Sequence, residues 1–336
     1  MLELLPWHKH QWQQVSSAMA GNKLHHALLL TGPEGIGLGK FASLLASVLL
    51  CHQPDDSGFM CGTCKSCVLF QAGNHPDLMQ LEPEEAGKQL KVELIRDLVV
   101  FMQHTNQYGR KKLAIIDPAD AMNRSAANSL LKTLEEPPPD SLIMLISHRP
   151  SLLPVTIRSR CQRISFSPSY TAQTVSWLEQ AIADTDQDIQ DLLTIAQGAP
   201  LKVLDLVDQD PAGKREGLLQ DLDGIRRDRT NMLKVVARWH ALGADEVLRL
   251  LLLIFYQMTR LKMANSGIAP GQFVKIPSLQ ALANELDLTQ IVSCYDETLK
   301  HYQALTGPFN LNVQGILEDL VIFWQSLGRQ IEEERR

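Results

Sequence analysis

Four cysteines crowd into a stretch of seventeen residues: Cys51, then Cys61, Cys64 and Cys67 with two-residue gaps. Thiolates are soft ligands, and four of them suit a tetrahedral zinc ion, the short gaps letting neighbouring sulfurs converge on one point. An iron–sulfur cluster takes similar ligands. For zinc, four protein ligands leave no position for a substrate, so such a site is expected to be closed and structural. Metal binding is also the commoner use of clustered cysteines where thiols stay reduced.

A second stretch has the form of a phosphate-binding loop. Gly32-Pro33-Glu34-Gly35-Ile36-Gly37 follows the apolar run Ala27–Thr31 and precedes a helical pattern with Phe41, Leu44, Leu45 and Val48 on one face. Gly32, Gly35 and Gly37 would let backbone N–H groups wrap an anion. The rest of the chemistry is missing. With Gly32 and Gly37 as the loop glycines, the lysine position is Leu38 and the magnesium-hydroxyl position is Gly39. Lys40 lies two residues further on, about 200° round the helix, and points away. Sliding the register to make Gly39-Lys40 the pair shortens the loop and puts Phe41 at the hydroxyl position.

Buried parallel strands must carry such a loop. Ala27–Thr31, Leu78–Leu81, Leu113–Ile116, Leu142–Ile146 and Ile164–Phe166 are short apolar runs separated by helical patterns, as in a parallel α/β sheet. Leu113–Ile116 ends on Asp117, delivering a carboxylate to the carboxyl edge where open α/β sheets place their ligands. The helix after it, with Ala127, Leu130, Leu131 and Leu134 inward, is stopped by Pro137-Pro138-Pro139.

The sequences IIDPAD, AANSLLKTLEEPP and TIRSRC, in this order and spacing, resemble the AAA+ DNA clamp-loader family. The resemblance implies zinc for the four cysteines. It identifies Arg160, between Ser159 and Cys161, as an arginine finger acting in trans on a neighbour's nucleotide, the competing reading being that Arg160 pairs with a local carboxylate at the sheet edge; Arg158 is a decoy two residues earlier. A strand's period of two would place both arginines on one face. Asp117 falls where these ATPases keep the magnesium-side carboxylate, and Pro118 where they keep the glutamate base. Leu201, with Lys202 beside it, stands where the second sensor arginine is expected.

An intact frame with an empty hydroxyl position and no base implies a non-hydrolysing stator, not an enzyme by itself but part of a replicative DNA polymerase holoenzyme. The implied partners are the gamma/tau motor and delta subunits in a hetero-oligomeric ring, with the sliding clamp and primer–template DNA reached through the complex. Two alternatives are an active motor using Lys40, and a zinc-dependent enzyme or nucleic-acid reader.

The expected architecture is an α/β AAA+ domain at 1–166 with the zinc-binding insertion at 51–67, a helical lid at 167–208 and an all-α collar at 209–336. Gln209–Gly213 reads as a linker, and Arg226–Ala241, Asp245–Met263, Pro277–Leu286, Leu288–Leu305 and Gln314–Leu327 as the collar helices. Phe309–Asn312 resembles the family's collar ending. His25-His26 is expected to be a strand-entry turn, His75-Pro76-Asp77 another, and Tyr108–Lys112 a solvated basic turn. The balance of 32 basic against 38 acidic residues, net −6, argues against a protein that grips nucleic acid through bulk charge. The longest apolar run, Leu250–Tyr256, is too short to span a bilayer, and a cytoplasmic location is expected.

Overall fold

Strands without polar alternation fit only where both faces of a sheet are covered. In the computed structural model, β1 (Ala27–Thr31), β3 (Lys112–Ile116) and β4 (Ser141–Ser147) are buried at every residue. β2 (Leu78–Leu81) and the more polar β5 (Gln162–Ser165) form the edges of a parallel sheet in the order β2-β3-β4-β1-β5. The model describes residues 2–55, 57–85, 87–108, 110–182, 187–265, 276–307 and 312–334. Gly109 and Phe309–Leu311 therefore lie outside the described residues.

Alternate strand residues face opposite layers. Leu28, Leu30, Leu113, Ile115, Met144 and Ile164 pack with α1 (Lys9–Ala20) and α2 (Leu38–Leu50). Leu29, Ala114, Ile116, Ile143 and Leu145 pack with α4 (Val92–Gln103) and α5 (Arg124–Glu135). Thr31 pairs with Ser147, and Ile116 with Leu145, so Gly32, Asp117 and Ser147 emerge together at the carboxyl edge. This is the expected five-stranded parallel α/β sheet.

Some local expectations need correction. α3 (Lys65–Gln71) starts inside the cysteine motif, capped by Cys64, whose sulfur accepts the Cys67 N–H. The segment around Arg158 is helical, α6 (Val155–Arg158), not extended. Pro154 sits at its start with a φ of −53° already suited to a helix.

The chain divides into two compact units, Met1–Ala183 with Gln197–Leu204, and Asp184–Ala196 with Asp205–Arg336. The stretch expected to form a lid is thus shared between them. The first unit ends with α7 (Ala172–Ala181) and the opening residues of α9 (Pro200–Leu206).

The second unit is helical: α8 (Ile189–Ile195), α10 (Pro211–Arg226), α11 (Met232–Leu242), α12 (Ala244–Asn265), α13 (Pro277–Glu285), α14 (Leu288–Leu305) and α15 (Val313–Glu334). Its core gathers Trp239, Ile254, Phe255, Ile291 and Trp324. The expected linker at Gln209–Gly213 is instead the start of α10. Asp210 caps it by accepting the Gly213 N–H, and Pro211 fills the first turn, where a missing N–H costs nothing. None of the described helices is long and apolar enough to cross a membrane.

Candidate functional site

The cysteine module grows from the end of α2. Cys51 caps that helix, and Cys61, Cys64 and Cys67 fold back so that all four sulfurs lie within 4.8 Å of one another. A zinc–sulfur bond of 2.3 Å gives a tetrahedral edge of about 3.8 Å. The Cys61 and Cys67 sulfurs are already 3.9 Å apart, so the four residues fit a tetrahedral ion with little movement.

Backbone N–H groups aim at sulfur, as thiolates require: Cys61 donates to Cys51 Sγ at 3.3 Å and Cys64 to Cys61 Sγ at 3.4 Å. The N–H groups of Cys64 and Thr63 pull the Cys61 thiol down to about 6, while burial pushes that of Cys67 up.

The module is held from beneath. Ser66 Oγ donates to the Leu50 carbonyl at 2.7 Å and meets His75 Nε2 at 2.8 Å. Asp77 accepts the N–H groups of Gln107 and Tyr108 and pairs with buried Lys112 at 3.2 Å. Burial raises the Asp77 carboxyl, but these donors outweigh it and the net shift is downward. His75-Pro76-Asp77 is therefore a structural turn. Lys112 is no solvated base, and Arg110 donates to the Cys51 carbonyl. His25 and His26 likewise form a strand-entry turn: Ala27 N–H donates to His25 Nδ1, and His26 Nε2 lies 3.0 Å from the Leu134 carbonyl.

The glycine loop has the backbone of an anion site, with Gly35 at φ +80° and Gly37 at φ +94°. Its surroundings come from its own chain. Leu201 N–H donates to the Gly35 carbonyl at 3.0 Å. A Cβ on Gly35 would meet Lys202 Cβ at 2.7 Å, and one on Gly37 would meet Leu5 at 2.8 Å and Leu201 at 3.1 Å. The Ile36 carbonyl accepts from Trp7 Nε1 and lies 2.8 Å from His8 Nε2. His8 is enclosed by Phe41 and Phe166, and burial lowers its pKa from 6.5 to about 4. Lys40 is exposed.

At Gly39, the hydroxyl position, a Cβ would come within 3.1 Å of Asp117 Oδ2, so Asp117 does reach the loop. Burial pushes the Asp117 carboxyl above its ordinary range, with His148 partly opposing. Asp120, not singled out from the sequence, organises the same edge. It accepts Ser147 Oγ at 2.7 Å and the His148 N–H at 3.2 Å, and pairs with Arg149.

Arg160 follows α6. One guanidinium nitrogen donates to the Thr156 carbonyl at 2.9 Å, and the other lies 2.5 Å from Glu135 Oε1 at the end of α5. Arg158 is exposed and projects from the helix itself. Arg160 thus has the local carboxylate partner that was the alternative to the finger; the sequence did not say that it would be Glu135.

The family model described as DNA polymerase III, delta subunit matches residues 7–170. The chain is 35% identical to the DNA polymerase III subunit delta' of Pseudomonas aeruginosa over 97% of this chain and 99% of that protein. It is 29% identical to the Escherichia coli protein of the same name over 94% of each. The Escherichia coli DNA polymerase III subunit tau is 33% identical over 60% of this chain and 31% of its own length. A gamma subunit-related protein from Thermotoga maritima aligns over 94% of this chain and 100% of its own, with 18% identity and a TM-score of 0.46. Alike along its whole length to the Pseudomonas protein, the chain belongs to the family of DNA polymerase III delta' subunits.

Proposed function

We propose that this chain is the non-hydrolysing stator of a clamp-loader ring and supplies Arg160 as an arginine finger to a neighbouring gamma/tau motor subunit. It would assemble with motor and delta subunits and reach the sliding clamp and primed DNA through the complex, in the cytoplasm. What carries the reading is the glycine loop. It lacks the hydroxyl at Gly39 and the base at Pro118, and Leu5, His8, Leu201 and Lys202 crowd it. A protein of this fold that cannot run its own site contributes through what it presents to another.

The presented group is the Arg160 guanidinium. Its planar fork matches phosphoryl oxygens and would stabilise charge gathering on them as water attacks the γ-phosphorus and ADP leaves. Residues 167–208 would serve as the lid and 209–336 as the collar that closes the ring. Cys51, Cys61, Cys64 and Cys67 would hold zinc as a closed structural ion that takes no part in the reaction.

Reconstitution with cognate motor and delta subunits tests the proposal. The isolated chain is expected to show no ATP turnover, and Arg160→Ala should assemble normally. Hydrolysis at the one neighbouring site should then fall on the order of a thousandfold, and clamp loading with it. Full clamp loading by the Arg160→Ala assembly would remove the finger. Turnover by the chain alone, lost in Lys40→Ala, would make it a motor instead.

A further inference from the structure

A finger must be free to reach a phosphate, yet in this chain Arg160 is already bound. Its two terminal nitrogens have different partners: one donates to the Thr156 carbonyl within its own turn, and the other meets Glu135 Oε1 at 2.5 Å. We propose that Glu135 is an internal stand-in for the phosphate, a latch that holds the finger until a neighbour's nucleotide displaces it. The inference rests on the finger reading above.

Three observations support an exchangeable latch over a permanent strut. Both side chains are substantially exposed, 34% for Arg160 and 49% for Glu135, and ion pairs this open to water are weak. A buried arginine pair of this protein looks different. Arg215 grips Asp191 through two bonds of 2.7 Å, with only 5% and 12% of the side chains exposed. Finally, Glu135 is the last residue of α5, where the helix dipole presents its negative end. A carboxylate there adds to that negative end, and the cation that pairs with it is Arg160.

A phosphate carries more charge and more acceptor oxygens than one carboxylate, and it competes for the same guanidinium edge. The Thr156 contact can persist during the exchange, so the arginine pivots on a fixed point. Free chain and docked chain then differ in one ion pair. Glu135 lowers the affinity of this chain for a neighbour by the cost of breaking that pair, and does so only where a terminal phosphate is being grasped.

The test uses the full chain titrated against cognate motor and delta subunits, with ATPγS or ADP bound. Glu135→Gln keeps size and polarity and removes the charge; Glu136→Gln, the adjacent residue, is the control for bulk charge. Glu135→Gln should lower the half-saturating concentration about two- to fivefold with ATPγS and leave it unmoved with ADP. The shift should vanish in the Arg160→Ala background.

A second measurement needs no partner. Phenylglyoxal labelling of the free chain, read by peptide mass spectrometry, should modify Arg160 about two- to fivefold faster in Glu135→Gln, with Arg158 as internal reference. Equal shifts with ADP and ATPγS, a similar shift for Glu136→Gln, or unchanged labelling would overturn the latch. So would a severalfold fall in saturating ATP turnover with half-saturation unmoved, which would make Glu135 an orienting arm in the assembled site. If Arg160→Ala leaves docking and turnover at parental levels, the finger itself falls. If Arg160→Ala is defective while Glu135→Gln matches the parent in both measurements, only the latch falls.

Discussion

Leu201 donates its backbone N–H to the carbonyl of Gly35 across 3.0 Å, joining the first turn of α9 to the middle of the glycine loop. The two residues are 166 positions apart in sequence, and between them they explain why this loop is a structural joint. Gly35 is at φ +80°, and Lys202 packs where its side chain would have been.

Gly35→Ala is expected to destabilise the first unit. The left-handed backbone alone costs an ordinary residue about 1–2 kcal/mol, and the new methyl meets Lys202 Cβ at 2.7 Å. A fall in the thermal midpoint of the first unit by several degrees should be seen. An unchanged melt would mean that α9 does not rest on the loop.

Metal removal should open the segment 51–67. Metal analysis in reducing buffer is expected to find about one zinc per chain, and Cys64→Ser should lose it and melt earlier. A zinc-free preparation with parental stability would show that the four thiols stand together without an ion.

The pH dependence turns on His8. Its pKa is lowered from 6.5 to about 4 by burial, so between those values the unfolded chain binds a proton that the folded chain refuses. Stability from this group is therefore complete above pH 6.5 and is lost as pH falls toward 4, by about 3 kcal/mol in all. Urea melts from pH 7 to 4 should show that slope, and His8→Gln should flatten it. An equal slope in His8→Gln would assign the effect elsewhere.

Two arginines should differ sharply in what their loss costs. Arg215→Ala strands the Asp191 carboxylate in a poorly hydrated place and is expected to cost about 3–5 kcal/mol. Arg160→Ala breaks an exposed pair and should cost less than about 1 kcal/mol. Denaturant melts of both variants decide this, and a large loss for Arg160→Ala would recast it as a structural residue.

Much of the site was legible because the relevant spacings are local. The cysteine gaps, the glycines, and the strands Ala27–Thr31 and Leu78–Leu81 needed no partner from elsewhere in the chain. What sequence reading missed depends on distant or local competition. Glu135 reveals its partner only once α5 and α6 are placed, and Asp120 becomes central only beside Ser147 and His148. Asp210-Pro211 was read as a linker because both residues favour turns, yet the same properties start α10. The basic turn near Lys112 failed as a solvated patch because Asp77 lies beneath it.

The aromatic contacts have a further consequence. Phe59, inside the cysteine segment, stacks on Trp12 of α1 at 5.2 Å; Trp12 meets Phe41, Phe41 lies beside His8, and His8 holds Ile36. The cysteine segment and the glycine loop, distinct in sequence and in chemistry, are thus joined by a continuous chain of rings. Such a chain is expected to open as one cooperative unit. If the four cysteines hold a metal, the amides around Ile36 should lose their protection from hydrogen exchange together with those around Phe59 when it is stripped.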